Sequence, residues 1–220
     1  MGELQLPAVL DFQFSAPEYR RPDLGKLSAL YGCCPGLVHV KIQGSGSFTP
    51  VRAEHLCALR IWDAHSERDA TRALGESEFP ALQVLSIADE GAALDDDAAR
   101  VFFEERAPEL RSIELDGFVD SIDVLLTVKA PKLDKVIFHC HDLDDALFAV
   151  GERGVPAAWR KLEVWGFNAD LEQVVEFLEE HAAAFTHLHE LRFGYEFDDP
   201  VAALRRLQAL CPQLVALERE

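Results

Sequence analysis

A group of potential metal ligands occupies residues 139–142 (HCHD), and two further carboxylates, Asp144 and Asp145, follow closely. A zinc site needs ligands that converge from one side, whereas consecutive residues of a strand point to alternate faces. Only His139 and His141 could share a face, and no second ligand pair in the sequence has the spacing of a zinc finger. We therefore expect no metal site and no cofactor in this chain.

No sequence motif for nucleophilic catalysis or for phosphate binding is present. There is no nucleophile elbow and no dinucleotide fingerprint, and the glycine-serine stretch at residues 44–47 lacks the lysine and the following helix that a phosphate site needs. A Cys–His pair formed by residues distant in the sequence stays open, because such residues can meet in space. We expect a protein that is not an enzyme and has no catalytic residues.

The charge balance argues against direct binding to nucleic acid, because the formal net charge is −18 and phosphate contacts need clustered Lys and Arg. The apolar runs fall short of the roughly 18 residues of a membrane span, and no basic segment precedes the apolar stretch near the N-terminus. The five cysteines include no C-x-x-C pair, as expected for reduced thiols. We expect a cytoplasmic protein with a protein partner, and the acidity favours a basic one.

A repeat supplies the elements that would position any binding residues. Its pattern is Pro-x-Leu-x-x-Leu-x-Leu, most clearly in Pro80–Ile87, Pro108–Leu115 and Pro131–Phe138. Apolar residues two apart at the end of each copy predict a short strand with one buried face, and the apolar period of 3.6 between copies predicts a helix. Copies follow one another at an average step of about 26 residues. The first leucine-type positions are Val9, Leu37, Leu56, Leu82, Leu110, Leu133, Leu162, Leu188 and Leu214.

Such a repeat predicts a single α/β solenoid domain over residues 1–220, with about 8–9 repeats across residues 7–217. A row of helices is wider than a row of strands. We therefore expect a curved, right-handed stack, with a parallel sheet on the concave side and helices on the convex side. The step of 19 residues between Leu37 and Leu56 leaves little room for a helix, and it predicts a tight loop at Gly44–Pro50.

The copies resemble the leucine-rich-repeat family, and their L-x-x-L-x-L cores and steps of 26–29 residues are similar to its ribonuclease-inhibitor-like, helix-containing subclass. Residues 34–37 (CPGL) and 211–214 (CPQL) also resemble the opening of the cysteine-containing repeats. The resemblance implies a protein-binding solenoid. The family usually has Asn or Cys three residues after the last strand leucine, and this chain has other residues there, so we expect irregular turns.

The seventh copy, Leu162–Phe167, differs from the others in composition. Aligned on Leu162, it predicts Trp165 and Phe167 as the buried pair of its strand. That alignment places Trp165 in the core. It also places Val164 on the concave surface, because neighbouring strand residues alternate between faces.

Residues between the buried ones should point to the concave surface in every predicted strand. Lys41, Arg60 and Trp62 fall there on neighbouring strands, and Trp and Arg are enriched at the energetic centres of interfaces. A second, polar group lies two strands further on. The residues predicted to bind a partner are His39, Lys41, Arg60, Trp62, Glu114, Asp116, Lys135, His139 and Arg192.

Three functions are compatible with these features. The first, which we expect, is a non-enzymatic module that binds a protein partner through its concave strand face. The second is an acidic inhibitor or immunity-type protein that neutralises a basic enzyme, for example a nuclease. The third is a homo-oligomeric scaffold, since no polar cap is evident before Val9 or after Leu217 and uncapped solenoid ends tend to associate.

Overall fold

The computed structural model describes residues 11–15, 27–43, 50–62, 69–88, 96–116, 121–140, 143–166, 171–194 and 200–218. Strands and helices alternate along these residues. The strands are β1 (Asp11–Ser15), β2 (His39–Gln43), β3 (Ala58–Trp62), β4 (Val84–Ala88), β5 (Ser112–Asp116), β6 (Lys135–Cys140), β7 (Lys161–Gly166), β8 (Glu190–Gly194) and β9 (Leu214–Glu218). The helices are α1 (Leu27–Cys33), α2 (Asp69–Glu76), α3 (Asp96–Val101), α4 (Ser121–Thr127), α5 (Leu143–Arg153), α6 (Leu171–His181) and α7 (Pro200–Leu210). A π-helical turn, Phe102–Arg106, follows α3, and a 3-10 turn, Ala182–Phe185, follows α6.

The nine strands of the described residues form one open, all-parallel sheet, in which the strand order is the order of the chain. Neighbouring strands share a constant register, so that Val40 pairs with Leu59 and Leu59 with Leu85. The last pair, β8 with β9, shifts register between Leu191 and Arg192. Parallel neighbours need a crossover, and the seven helices of the described residues lie in these crossovers. The fold is therefore α/β with a single sheet, compatible with a repeat solenoid.

Alternate strand residues and one face of each helix form the core. Leu59 and Ile113 are fully buried within their strands. In α6 one helical face is buried, because Val174, Val175 and Leu178 are at most 2% exposed. Burial of a leucine-sized side chain contributes about 1.5–3 kcal/mol relative to its exposure. The continuous apolar layer between strands and helices is thus the main source of stability.

A backbone turn marks the first apolar position of seven of the described repeats. At this position the backbone N–H donates to the carbonyl three residues earlier, with N···O distances of 3.0–3.2 Å, and the side chain is at most 4% exposed. The turn therefore identifies the true start of each copy. The seven donors are Leu37, Leu82, Leu110, Leu133, Trp159, Leu188 and Leu214.

The seventh repeat shows that the prediction for Trp165 was wrong. The turn begins this copy at Trp159, so Leu162 is its second apolar position and not its first. Leu162 and Val164 face the core, with Val164 paired to Phe138 in the preceding strand. Trp165 therefore lies on the opposite face of the sheet. The cause of the error is a tryptophan in a leucine position, because an alignment that starts on the wrong residue reverses the faces of the whole strand.

The two CPxL segments use their cysteines as buried turn residues. The carbonyl groups of Cys34 and Cys211 accept the turn hydrogen bonds from Leu37 and Leu214. Both cysteine side chains are buried, and burial raises the pKa of the Cys211 thiol. All five cysteines of the chain are free thiols. The side chains therefore fill the core at the helix-to-strand turns.

The connection between β2 and β3 contains no helix within residues 50–57, and residues 44–49 of the predicted loop lie outside the described residues. Instead, Arg52 forms an isolated parallel bridge with Glu78, at the end of the neighbouring repeat. Ser77, which is fully buried, stabilises this contact. Its hydroxyl donates to the Ala73 carbonyl at 2.6 Å and accepts the Val51 N–H at 3.1 Å.

We expect the two tryptophans of the seventh repeat to differ sharply in their contribution to stability. Trp159→Ala should lower the free energy of unfolding by about 3–5 kcal/mol, because it opens a large cavity in the core. Trp165→Ala should lower it by less than about 1 kcal/mol, since most of that ring is not in the core. Urea unfolding followed by circular dichroism measures both values. Similar losses in the two variants would contradict the register described above.

Removal of the Ser77 hydroxyl should destabilise the short second connection. Ser77→Ala should cost about 1–3 kcal/mol, because the buried Val51 N–H loses its acceptor. Thr127→Ala is the matched control: its hydroxyl also donates to a carbonyl, that of Val124, but at an exposed helix end where water replaces it. The midpoint of thermal unfolding should be lower for Ser77→Ala and nearly unchanged for Thr127→Ala. An unchanged midpoint for Ser77→Ala would show that its hydroxyl contributes nothing to stability.

Candidate partner-binding face

The open face of the sheet consists of the strand side chains that point away from the helices. The constant register aligns these side chains into three rows across the strands. All nine residues predicted to bind a partner lie on this face. The first row includes His39 and Lys135; the middle row runs Lys41, Arg60, Ser86, Glu114, Ile137, Glu163 and Arg192; the third row includes Trp62, Asp116, His139 and Trp165.

The first concentration of binding groups is the Trp62 cluster, formed by Lys41, Arg60, Trp62 and Ser86. The Lys41 ammonium lies 4.3 Å from the centre of the Trp62 ring, a cation–π contact worth about 0.5–1 kcal/mol at an exposed site. The Trp62 indole N–H donates to the Ser86 hydroxyl at 3.2 Å. Ser86, the acceptor of this bond, is only 1% exposed although it lies on the open face. The ring orientation is therefore fixed from two sides.

Arg60 is the exposed member of the Trp62 cluster. It pairs with Lys41 on one side and with Ser86 on the other in the sheet register, so no carboxylate stands directly beside it. Within the described part of the chain, its guanidinium has no ion-pair partner. An exposed guanidinium beside a fixed indole is able to accept a carboxylate and an apolar group from one ligand.

The second concentration is the Trp165 cluster, formed by Glu114, His139 and Trp165. The imidazole of His139 stacks on the Trp165 ring, with centroids 5.6 Å apart and an angle of 8° between the planes. His139 Nε2 also lies 3.8 Å from a carboxylate oxygen of Glu114. Sequence reasoning missed Trp165 as a surface residue. The alternation of Lys161, Leu162, Glu163 and Val164 was the signal that could have placed it.

Most charged residues between β6 and β8 are paired with one another, across neighbouring strands or within one strand. Lys135 lies 3.1 Å from Glu163, and Lys161 lies 2.9 Å from Glu190. Arg192 Nε donates to Glu190 at 2.6 Å. Hydrogen bonds from Lys161 and Arg192 lower the pKa of the Glu190 carboxyl. Lys161 and Glu163 were not among the predicted binding residues, because the misaligned seventh copy had placed the wrong residues on this face.

His39 is separate from both clusters. Its Nδ1 lies 2.5 Å from a carboxylate oxygen of Asp11, and both side chains are more than half exposed. An exposed pair of this kind contributes about 0–1 kcal/mol, because water and salt screen it. His39 thus lies at the N-terminal border of the face, one strand before Arg60.

The open face is electrically balanced. Among its described side chains, five cations oppose five carboxylates, although the whole chain has a net charge of −18. The excess acid therefore lies outside these strand positions. The cations are Lys41, Arg60, Lys135, Lys161 and Arg192, and the carboxylates are Asp11, Glu114, Asp116, Glu163 and Glu190.

Within the described residues, no group of three or more His, Cys, Asp or Glu side chains converges as a metal site would require. Two members of the potential ligand group, His141 and Asp142, lie outside those residues. Across the same ranges, none of the helices is both long enough and apolar enough to cross a membrane.

Comparison with known proteins gives a structural likeness alone. No protein-family model matches the chain. No curated protein matches it either. A protein from Bacteroides fragilis with a known crystal structure is similar in fold, with a TM-score of 0.55 and 14% sequence identity. The match covers 89% of this chain and 52% of the other, so the chain spans about half the length of that protein. At this identity the likeness shows a shared fold and carries no function.

The pairing of Glu190 can be tested directly. Its carboxyl pKa should lie below the ordinary value of 4.5, because both hydrogen bonds favour the charged form. In the double variant Lys161→Gln/Arg192→Gln the pKa should return toward 4.5. Nuclear magnetic resonance of the side-chain carboxyl carbon measures both values. Lys41→Gln/Arg60→Gln is the matched control, since it removes two cations from the same face several strands away.

The sign of the effect on stability follows from the lowered pKa. The stabilisation from Glu190 is fully present above its ordinary pKa of 4.5 and is lost as the pH falls through the lower, folded-state value. The difference in unfolding free energy between the wild type and Glu190→Gln should therefore be constant near neutral pH and shrink in acid. A difference that grows as the pH falls would contradict the pairing.

Proposed function

We propose that this protein is a leucine-rich-repeat solenoid that binds another protein through the open face of its sheet, which we take to be the concave side. One observation supports this function above all. In the Trp62 cluster, an indole held in one orientation and the exposed guanidinium of Arg60 lie two positions apart on the same face of β3. Trp and Arg are the residues that most often supply the binding energy of protein interfaces.

The sheet gives these side chains a rigid support. Strands held in a continuous hydrogen-bonded ladder lose little freedom when a partner binds, so more of the contact energy appears as affinity. Nine strands spaced about 4.8 Å apart span roughly 38 Å, and five-residue strands are about 16 Å long. This area is of the order of the roughly 800 Å² that each partner contributes to a typical stable interface.

The two ends of the face would play different roles in binding. Between β6 and β8 the charges already satisfy one another, so a partner gains little by replacing those pairs. At β2 and β3 the Arg60 guanidinium is available. We therefore place the anchor at the Trp62 cluster, with His139 and Trp165 as a second contact. The partner group that fits the anchor is a carboxylate next to an apolar or aromatic side chain.

The acidic-inhibitor function is the second candidate, and the charge distribution is the observation that favours it. Because the open face is balanced, a basic enzyme would bind carboxylates elsewhere on the molecule, and on the helical side Glu104, Glu105 and Glu179 are exposed. Binding of this kind would weaken strongly with salt, because exposed charges are screened.

That the chain is not an enzyme, and that it works in the cytoplasm, stay predictions.

Affinity capture from a lysate of the source cells, followed by mass spectrometry, tests the proposed function. We expect Arg60→Ala/Trp62→Ala to weaken binding of a captured protein at least tenfold, since two anchoring side chains are removed. The matched control is Arg100→Ala/Val201→Ala, which truncates an exposed cation and an exposed apolar side chain on α3 and α7. This control should change binding less than twofold.

The outcomes separate the candidate functions. A partner that is retained by Arg60→Ala/Trp62→Ala at moderate salt would exclude the Trp62 cluster as its anchor. A basic partner that both variants retain at low salt and lose at moderate salt would favour the acidic-inhibitor function. Capture of the chain itself, together with a molecular mass in solution that rises with protein concentration, would favour the scaffold function.

A further inference from the structure

A groove of about 420 Å³ lies on the helical side of the molecule, between α5 and α6. It is remote from the open face, because the helices pack on the opposite side of the sheet. Its apolar lining includes Leu147, Phe148 and Phe177. Phe148 is 66% exposed, which is unusual for a phenylalanine on a folded protein. A single exposed apolar side chain needs no explanation, but one that lines a groove with a second aromatic ring marks a contact surface.

The floor of the groove is held in place by close packing between the two helices. A methyl group added at Gly151 would lie only 2.9 Å from Nε2 of His181, so glycine allows this histidine to pack against α5. The His181 ring in turn packs against Phe177, at 4.9 Å between centroids, and Phe177 packs edge-on against the buried Phe185. Phe177 is therefore fixed from beneath, and the groove is preformed.

The rim of the groove is acidic. Glu152, Glu176 and Glu180 line it and are exposed, and none of its described lining residues is Lys or Arg. His181 Nε2 lies 3.7 Å from a carboxylate oxygen of Glu180. The side chains of Glu152 and Glu176 are exposed to solvent. An apolar floor with an acidic rim is complementary to a surface with an apolar stripe between basic side chains.

We propose that the groove between α5 and α6 binds a basic amphipathic helix of a partner protein. Both α5 and α6 have eleven residues and are thus roughly 16 Å long, which accommodates about three turns of a docked helix. Apolar residues of that helix would cover Phe148 and Phe177, and its Lys or Arg side chains would reach Glu152, Glu176 and Glu180. This site is independent of the open face and of the function proposed for it.

A designed peptide tests the site in the full-length protein. The probe is an 18-residue fluorescein-labelled helix with leucines at every third or fourth position and lysines on its other face, at physiological salt. Fluorescence anisotropy should show saturable binding, and the helical circular dichroism signal of the peptide should increase when it binds. The same peptide with glutamates in place of the lysines should bind at least tenfold more weakly, because the rim would repel it.

Two pairs of variants separate the groove from general attraction to an acidic chain. Phe148→Ser should weaken probe binding about tenfold, while Val201→Ser, which removes a similarly exposed apolar side chain from α7, should not. Glu176→Gln/Glu180→Gln should weaken binding and reduce its dependence on salt. Glu104→Gln/Glu105→Gln, which removes the same charge from the π-helical turn, should do neither. Both Phe148 and Val201 are exposed, so their replacement should leave the unfolding temperature unchanged.

Three results would overturn this assignment. The first is the absence of saturable binding of the lysine peptide. The second is equal weakening by Glu176→Gln/Glu180→Gln and by Glu104→Gln/Glu105→Gln, which would mean attraction to net charge alone. The third is a dimer, seen by analytical ultracentrifugation, that Phe148→Ser dissociates, because the groove would then be occupied by a second copy of this chain. Loss of the open-face partner would affect none of these measurements.

Discussion

Each strand can bury its apolar side only if the next strand pairs with it in register, and the rest of the structure depends on this constraint. Leu59 is fully covered because Val40 and Leu85 flank it at the same height in the sheet. The same pairing determines the other side of the sheet, since successive side chains of a strand alternate between faces. Arg60 reaches the open face because its neighbours Leu59 and Ile61 face the core.

This register also shapes the charge distribution. Opposite charges pair across strands, as Lys135 and Glu163 do, although like charges are also neighbours within a row, as Lys41 and Arg60 are. The described helices hold more carboxylates than cations, and water solvates exposed carboxylates such as Glu176. The molecule therefore has two surfaces of different character: a balanced sheet face with fixed aromatic rings, and an acidic helical side with an apolar groove.

Repeats with a leucine in the first position could be predicted from the sequence, because spacing alone identifies which residues face the core. The prediction failed where the residue type differed from the pattern, at Trp159, and the error then moved Trp165 from the surface to the core. Alternation of polar Lys161 and Glu163 with apolar neighbours was the better local signal. No local signal could have shown the groove beside Phe148, since its other wall comes from the following repeat.

The sequence by itself determined the strands, the helices between them, their order and, outside the seventh strand, the face that each strand presents, because periodicities of 2 and 3.6 depend only on local backbone geometry. Tertiary structure alone decided which side chains meet. Lys41 lies over the Trp62 ring, and Glu190 forms ion pairs with both Lys161 and Arg192. His181 packs closely against Gly151, which has no side chain to obstruct it. All but one of these contacts join residues about 20 to 30 positions apart, on neighbouring repeats. They form only when the repeats stack, since no local preference of the chain can bring such residues together.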